Sequence, residues 1–138
     1  MSDRTVIQTD AAPAPIGPYS QAIKTGSLLF LAGQVGLDPR TGKFAGSDAA
    51  TQCEQILRNI EAILNYAGMT MGHIVRCNVY VADLNDMPAI NKVYARHFLY
   101  QPPVRTTVQV AALPGGARLE IEVTATLPSA SSSADRLG

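Results

Sequence analysis

The stretch from Leu119 to Leu127, LEIEVTATL, restricts the fold more than any other segment. Leu119, Ile121, Val123, Ala125 and Leu127 alternate strictly with Glu120, Glu122, Thr124 and Thr126. A period of two divides the faces of a strand, so the first set belongs to a core and the second meets water or another subunit. The uncharged threonines leave an oligomer interface open on that second face. A helical period stands upstream, where Ala49, Cys53, Ile56, Ile60, Ile63 and Ala67 fall on one side of a helix from Asp48 to Ala67. Ser47 or Asp48 can cap its start, and Gly68 suits the left-handed residue after its end. A half-buried strand and an amphipathic helix in one short chain call for a sheet with helices laid on it.

The remaining elements fit that plan. Arg4–Gln8 is a short edge strand, followed by a Pro-rich loop from Ala11 to Pro18. Ser20–Lys24 and Leu28–Ala32 read as strands joined by Thr25-Gly26-Ser27. Ile74–Val81 alternates with Val75, Cys77, Val79 and Val81 on one side. A second helix runs from about Met87 to Leu99, capped by Asn85 or Asp86, with Pro88 in its first turn and Ile90, Val93, Tyr94 and Phe98 as its stripe. Pro102-Pro103 stops it. Strands near Arg105–Ala111 and Leu119–Leu127 finish the domain, joined by LPGGAR. The expected class is α+β, a single mixed sheet with both helices on one face. Residues 1–128 form the domain, and the Ser-rich tail at 129–138 is expected to be disordered.

Several function classes lose support. Eleven basic residues balance eleven acidic ones, so no overall positive field draws the chain to nucleic acid or anionic lipid. No apolar run reaches the length of a membrane span and the N-terminus has no secretory h-region, which makes the cytosol the expected compartment. Cys53 and Cys77 read as buried thiols rather than a disulfide framework. His73 and His97 have no partners at metal-ligand spacing, so no metal is expected. No serine stands in a nucleophile elbow, and Gly33-Gln34-Val35-Gly36 is too short and wrongly placed for a dinucleotide fingerprint.

What remains is an arginine opening one strand, Arg105, and a carboxylate opening the next, Glu120. A guanidinium in a partly buried strand needs an anion. That anion is either Glu120 or Glu122, as a structural ion pair, or a substrate carboxylate gripped by the planar fork. If the last two strands pair as a hairpin, Arg105 lies opposite about Thr126 and Glu120 opposite about Ala111. The two then share the polar face, six residues apart, or roughly 20 Å along the strand. Under that pairing they meet in one site only if they come from different subunits.

Taken together, Gly17-Pro18-Tyr19-Ser20-Gln21-Ala22, Ala32-Gly33-Gln34 with Asp38-Pro39-Arg40-Thr41-Gly42, Asn91-Lys92-Val93-Tyr94 and PPVRTTVQVAALPGGARLEIEVTAT resemble the RidA/YjgF family of reactive-intermediate deaminases. The resemblance covers nearly the whole chain. It implies a chorismate-mutase-like fold and a homotrimer with a central barrel and clefts between subunits. It implies cofactor-free hydrolysis of imino or enamino acids to keto acids and ammonia. Arg105 matches the residue that grips the substrate carboxylate, and Glu120 the one that positions water. Tyr19 matches an aromatic wall, Gly33 a backbone group near the substrate, and Asn91 a cleft-lining polar residue. Thr107 occupies a position where many members carry cysteine and completes the expected substrate-binding set. Ala32 stands where some carry serine, and Gly115 where lysine is common.

Each residue also has a purely structural reading. Tyr19 can pack its loop, Gly33 can serve a turn, Asn91 can be an exposed helix residue, and Glu120 a solvated carboxylate. A module that binds small carboxylates without catalysis would use the same Arg105 cleft. A ribonuclease or translation inhibitor would be expected to show an aromatic-basic stripe, and a holdase an exposed apolar patch. The sequence pattern displays neither.

Overall fold

The computed structural model describes residues 3–128, so the expected disorder of the tail at 129–138 lies outside the described residues. Six strands form one sheet: β1 (Thr5–Ile7), β2 (Ala22–Thr25), β3 (Leu28–Gln34), β4 (Ile74–Val81), β5 (Val104–Gln109) and β6 (Leu119–Thr126). The order across the sheet is β1-β2-β3-β6-β4-β5. Only β4 and β5 run parallel. The helices α1 (Ala49–Tyr66) and α2 (Met87–His97) pack on one face. The class and the element sequence are those the periodicities predict.

Local chemistry explains the boundaries. The Asp48 carboxylate accepts from Thr51 N at 2.9 Å and caps α1. Gly68 ends the helix at φ 82°, a conformation that side-chain-bearing residues avoid. One side of α1 places Ile56, Leu57, Ile60, Ile63 and Leu64 in full burial, against Leu29, Val79, Leu119 and Ile121 of the sheet. Each such side chain contributes about 1.5–3 kcal/mol of transfer free energy. Leu119, Ile121, Val123 and Ala125 all enter this core, as the alternation of β6 requires.

Several expectations change. Val75 is 44% exposed while Ile74 is buried, because a register shift between Ile74 and Arg76 inserts an extra residue against β6. Neither Asn85 nor Asp86 caps α2 with its side chain. Asp83 accepts from Asn85 N in a preceding 3-10 turn, and Asp86 is taken by Arg118 through a bidentate pair at 2.7–3.0 Å. Finally, β5 and β6 do not form a hairpin. The β4-α2-β5 crossover sets β5 parallel beside β4, and the long LPGGAR connection carries the chain over the end of β4. Val110 N donates to Val81 O and Ala82 N to Arg118 O, so the end of β4 is held from both sides.

The pairing decides which way each side chain points. Arg105 pairs with the buried Cys77, and Thr107 with the buried Val79, so both lie on the helix face of the edge strand. Glu120 pairs with Tyr80 and Glu122 with Asn78, on the open face. The expectation that Arg105 and Glu120 share a face is therefore overturned. β5 is also largely exposed in the single chain rather than partly buried. The open face carries a patch absent from the sequence reading: Val6, Phe30, Val104 and Val108 are each more than 40% exposed, and the register sets Val6, Ile23, Phe30, Thr124, Arg76 and Val104 in one row.

Candidate functional site

Glu120 stands at the start of β6, beside the irregular end of β3 where the register slips between Leu31 and Gln34. Its carboxylate lies across Gly33. A Cβ built on Gly33 would collide with Glu120 Oε2 and come within 2.8 Å of Cδ. Glycine is required here for space rather than for a special backbone angle. Glu120 faces a cleft of about 360 Å³ walled by Pro13, Ile16, Tyr19, Val35, Leu37 and Pro114 among others. That volume suits a small metabolite. Glu120 is the one charged residue of this lining, and no described residue donates a hydrogen bond to its side chain. Burial, and secondarily the charge of Glu122, push its carboxyl above the usual value.

The wall opposite Glu120 is a loop without regular structure, and a buried glutamine fixes it. Gln21 Oε1 accepts from Thr9 N at 2.8 Å, while Nε2 reaches Thr9 O at 3.0 Å, Ala12 O at 3.3 Å and Pro13 O at 2.9 Å. Proline leaves a loop short of its own donors, so a side-chain amide replaces the missing ladder. Tyr19 remains 52% exposed and its hydroxyl accepts from Ile16 N at 3.4 Å.

Arg105 belongs to a separate group. Its NH1 donates to Asn91 Oδ1 at 2.9 Å, and its guanidinium carbon lies 4.8 Å from the Tyr94 ring centroid. Tyr94 in turn packs on Phe98, with ring centroids 4.5 Å apart. An amide oxygen and a π face orient the cation without neutralising it. Neither Glu120 nor Glu122 pairs with it. Thr107 is half-buried two residues further along the same face. Arg105 lies level with Cys77, and Glu120 level with Tyr80, two strands away. That places their Cα atoms about 14 Å apart with the side chains on opposite faces.

The predicted residues thus sort into two half-sites, with Tyr19, Gly33 and Glu120 in one and Arg105, Asn91 and Thr107 in the other. Sequence reasoning missed Gln21 as the loop anchor, although its place in the GPYSQA motif was visible. It also missed Asn78 and Tyr80, and gave Glu122 only as a structural partner for Arg105, whereas Glu122 accepts hydrogen bonds from Asn78 and Tyr80. Cys53 and Cys77 are buried free thiols. Burial pushes Cys53 up to about 12 and raises Cys77 as well, so neither is poised as a nucleophile. His97 Nε2 lies 3.0 Å from Glu54 Oε1 and ties α2 to α1. That contact and Arg58 hold the Glu54 carboxyl below its usual value. Among the described residues no group of three or more His, Cys, Asp or Glu is placed to hold a metal, and no helix is long and apolar enough to cross a membrane.

Residues 9–127 match the family model described as Endoribonuclease L-PSP. The chain is 46% identical over 124 residues to Reactive Intermediate Deaminase A, chloroplastic, of Arabidopsis thaliana, an alignment covering 90% of this chain and 66% of that protein. It is 43% identical over 122 residues to the 2-iminobutanoate/2-iminopropanoate deaminase of Mus musculus, covering 88% of this chain and 90% of that one. Among solved structures, E. coli TdcF with bound serine superposes with a TM-score of 0.87 at 39% identity, over 90% of this chain and 99% of that chain.

Proposed function

The chain belongs to the RidA/YjgF family, and on that premise we propose that it hydrolyses reactive 2-imino and 2-enamino acids to 2-keto acids and ammonia. The observation that carries this reading is the pair of uncompensated charges. Arg105 is oriented by neutral groups and, among the described residues, has no carboxylate partner. Glu120 lies in a cleft without a donor or a cation. Each is incomplete alone, and a small carboxylate-bearing electrophile with a water molecule completes both.

In this proposal Arg105 grips the substrate carboxylate through its free N–H groups, with Asn91, Tyr94 and Thr107 fixing its approach. The imine carbon, activated by protonation of its nitrogen, faces Glu120. Glu120 holds a water and takes its proton as the oxygen attacks. The new C–O bond gives a carbinolamine. That proton then moves to nitrogen; Glu120 takes the remaining hydroxyl proton as the C=O bond forms and the C–N bond breaks, and ammonia leaves the keto acid behind, carrying that proton away as ammonium. No cofactor takes part. Positioning two reactants in this way is worth several kcal/mol by itself, which suits a site with so few polar groups.

Because the half-sites lie on opposite faces, each working site joins Glu120 of one subunit to Arg105 of a neighbour. The assembly is a homotrimer of chorismate-mutase-like subunits whose open sheet faces enclose a central barrel, acting in the cytosol. The exposed row through Val6, Phe30 and Val104 supports burial against further copies. Zero net charge gives no support to nucleic acid as the substrate.

The test follows imine decay spectroscopically, with an amino-acid oxidase generating the imine in situ. Wild type accelerates decay, whereas Arg105→Ala and Glu120→Ala do not. If wild type binds keto acids saturably yet leaves decay at the buffer rate, the protein is a carboxylate-binding regulatory module and the catalytic reading is wrong.

A further inference from the structure

The polar residues of the open face near Glu120 are not independent. Glu122 Oε1 accepts from Asn78 Nδ2 at 2.9 Å and from the Tyr80 hydroxyl at 3.0 Å. Asn78 pairs directly with Glu122 across the β4–β6 ladder, while Tyr80 pairs with Glu120 and reaches diagonally to its neighbour. Two donors from one strand therefore pin a single carboxylate oxygen on the next. Glu120 and Glu122, two residues apart on one face of β6, sit about 7 Å apart at Cα. One carboxylate is held by two hydrogen bonds, and the other has none.

From this asymmetry, and resting on the reading of Glu120 as the group that activates water, we propose that Glu122, pinned by Asn78 and Tyr80, is a positioning residue that keeps a fixed negative charge beside Glu120 and tunes it as a base. A carboxylate that accepts two hydrogen bonds from one neighbouring strand is held in place. A like charge nearby makes the second carboxylate bind a proton more tightly, and a tighter-binding carboxylate removes a proton from water more effectively. The upward displacement of the Glu120 carboxyl, with burial as its first cause and Glu122 as its second, agrees with the geometry. The Tyr80 hydroxyl is pushed up in turn, chiefly by its hydrogen bond to Glu122, and so stays a donor.

The other groups on this face leave the arrangement intact. β4 also presents Arg76, opposite Thr124. Arg76 thus lies on the far side of Glu122 from Glu120, and it makes no ion pair with either. β3 contributes Phe30, and β5 contributes Thr106 and Val108, none of them charged. Arg76, the cation that β4 brings to this face, is therefore separated from Glu120 by Glu122 itself.

The test reads Glu120 directly, without relying on turnover. The assembled protein carries carbon-13 glutamate, the Glu120 carboxyl resonance is assigned by its loss in Glu120→Gln, and its midpoint is followed against pH. Glu122→Gln keeps an acceptor for Asn78 and Tyr80 but removes the charge, and it lowers the Glu120 midpoint by about half a unit to one unit. Tyr80→Phe removes one of the two pins and lowers it by less. Glu61→Gln, on the outer side of α1, leaves it where it was. With an active protein, the acid limb of kcat/KM moves down with the midpoint in Glu122→Gln, whereas a merely structural role for Glu122 would lower the rate and leave the limb in place. An unmoved midpoint in both the Glu122 and Tyr80 variants overturns the inference whatever the activity. If instead Glu120→Gln hydrolyses imines at the wild-type rate, the functional reading of Glu120 fails while the charge coupling still stands or falls on the resonance.

Discussion

The two half-sites are built by opposite means. Around Glu120 the protein supplies enclosure: an apolar cleft, a glycine that admits the carboxylate over the backbone, and a Pro-rich wall held by Gln21. Around Arg105 it supplies orientation: an amide oxygen and an aromatic face on α2, at an exposed sheet edge. Enclosure raises the proton affinity of a carboxylate, and neutral orientation leaves a guanidinium fully charged. A base is improved by the first treatment and an anion anchor by the second. The difference teaches why one subunit does not combine them: the helix face that orients Arg105 is closed to the face on which Glu120 meets its cleft.

The sharpest way to break this comparison is to inactivate the halves separately and then mix them. Arg105→Ala and Glu120→Ala should each reduce accelerated imine hydrolysis by about 10²–10⁴-fold. Unfolding and reassembling the two inactive proteins together should restore activity, because some interfaces then receive an intact Arg105 from one chain and an intact Glu120 from the other. With random mixing about a quarter of the sites recover. A mixture as inactive as its components would place both residues of each working site in one chain.

The next effect is on stability and concerns the enclosed half alone. Gln21→Leu keeps the volume but removes the acceptor for Thr9 N and the donor shared by three carbonyls. Leaving such groups unpaired costs about 2–3 kcal/mol, read by urea denaturation at fixed protein concentration. Faster amide exchange should follow across residues 9–16, with α2 unaffected. Equal loosening of α2 would mean that the two half-sites are not mechanically separate.

What could be read in advance divides along the same line. Elements set by neighbouring residues were legible: the Asp48 cap, the Gly68 stop, the stripe of α1 and the alternation of β6 all appear in the sequence as they do in the structure. Features set by strand order were not. Nothing between Gln101 and Arg118 states that β4 will lie between β5 and β6, because that follows from where the α2 crossover lands. The face of Arg105 depended on it, and so did its neighbours. The expected separation of Arg105 and Glu120 stands on a different basis, with two strands and a change of face replacing a displacement along one hairpin. Val75 was misplaced for a smaller reason of the same kind, since a one-residue slip reverses a face. Membership of the Glu120 group was legible through resemblance, but the work of Gly33 was not: it is space for a side chain that is distant in sequence.

Gly33→Ala sharpens the point. The added Cβ meets the flexible end of Glu120 rather than backbone, so the side chain can swing aside and stability should fall by less than about 1 kcal/mol. Catalysis should suffer more, with kcat falling about tenfold or more while KM changes little, because in the proposed reaction Arg105 still grips the substrate carboxylate. A large stability loss with unchanged kcat would return Gly33 to a purely structural role.

The smallest expected effect runs the other way and links function to stability. The folded Glu120 carboxyl binds its proton more tightly than its ordinary value of 4.5, chiefly through burial and then through Glu122. Its stabilising contribution is therefore fully present below that value and is lost as pH rises through the folded midpoint. Above that midpoint wild type carries the penalty of an ionised, half-enclosed carboxylate, and Glu120→Gln does not. Glu120→Gln should be the more stable protein there, by a few tenths of a kcal/mol once solvent screening is allowed for. The difference should vanish in acid, where both side chains are neutral. Paired denaturation curves at the two pH values check this. A variant equally stable at both would mean that the enclosure around Glu120 does not resist its charge, and the contrast with Arg105 would then rest on position alone.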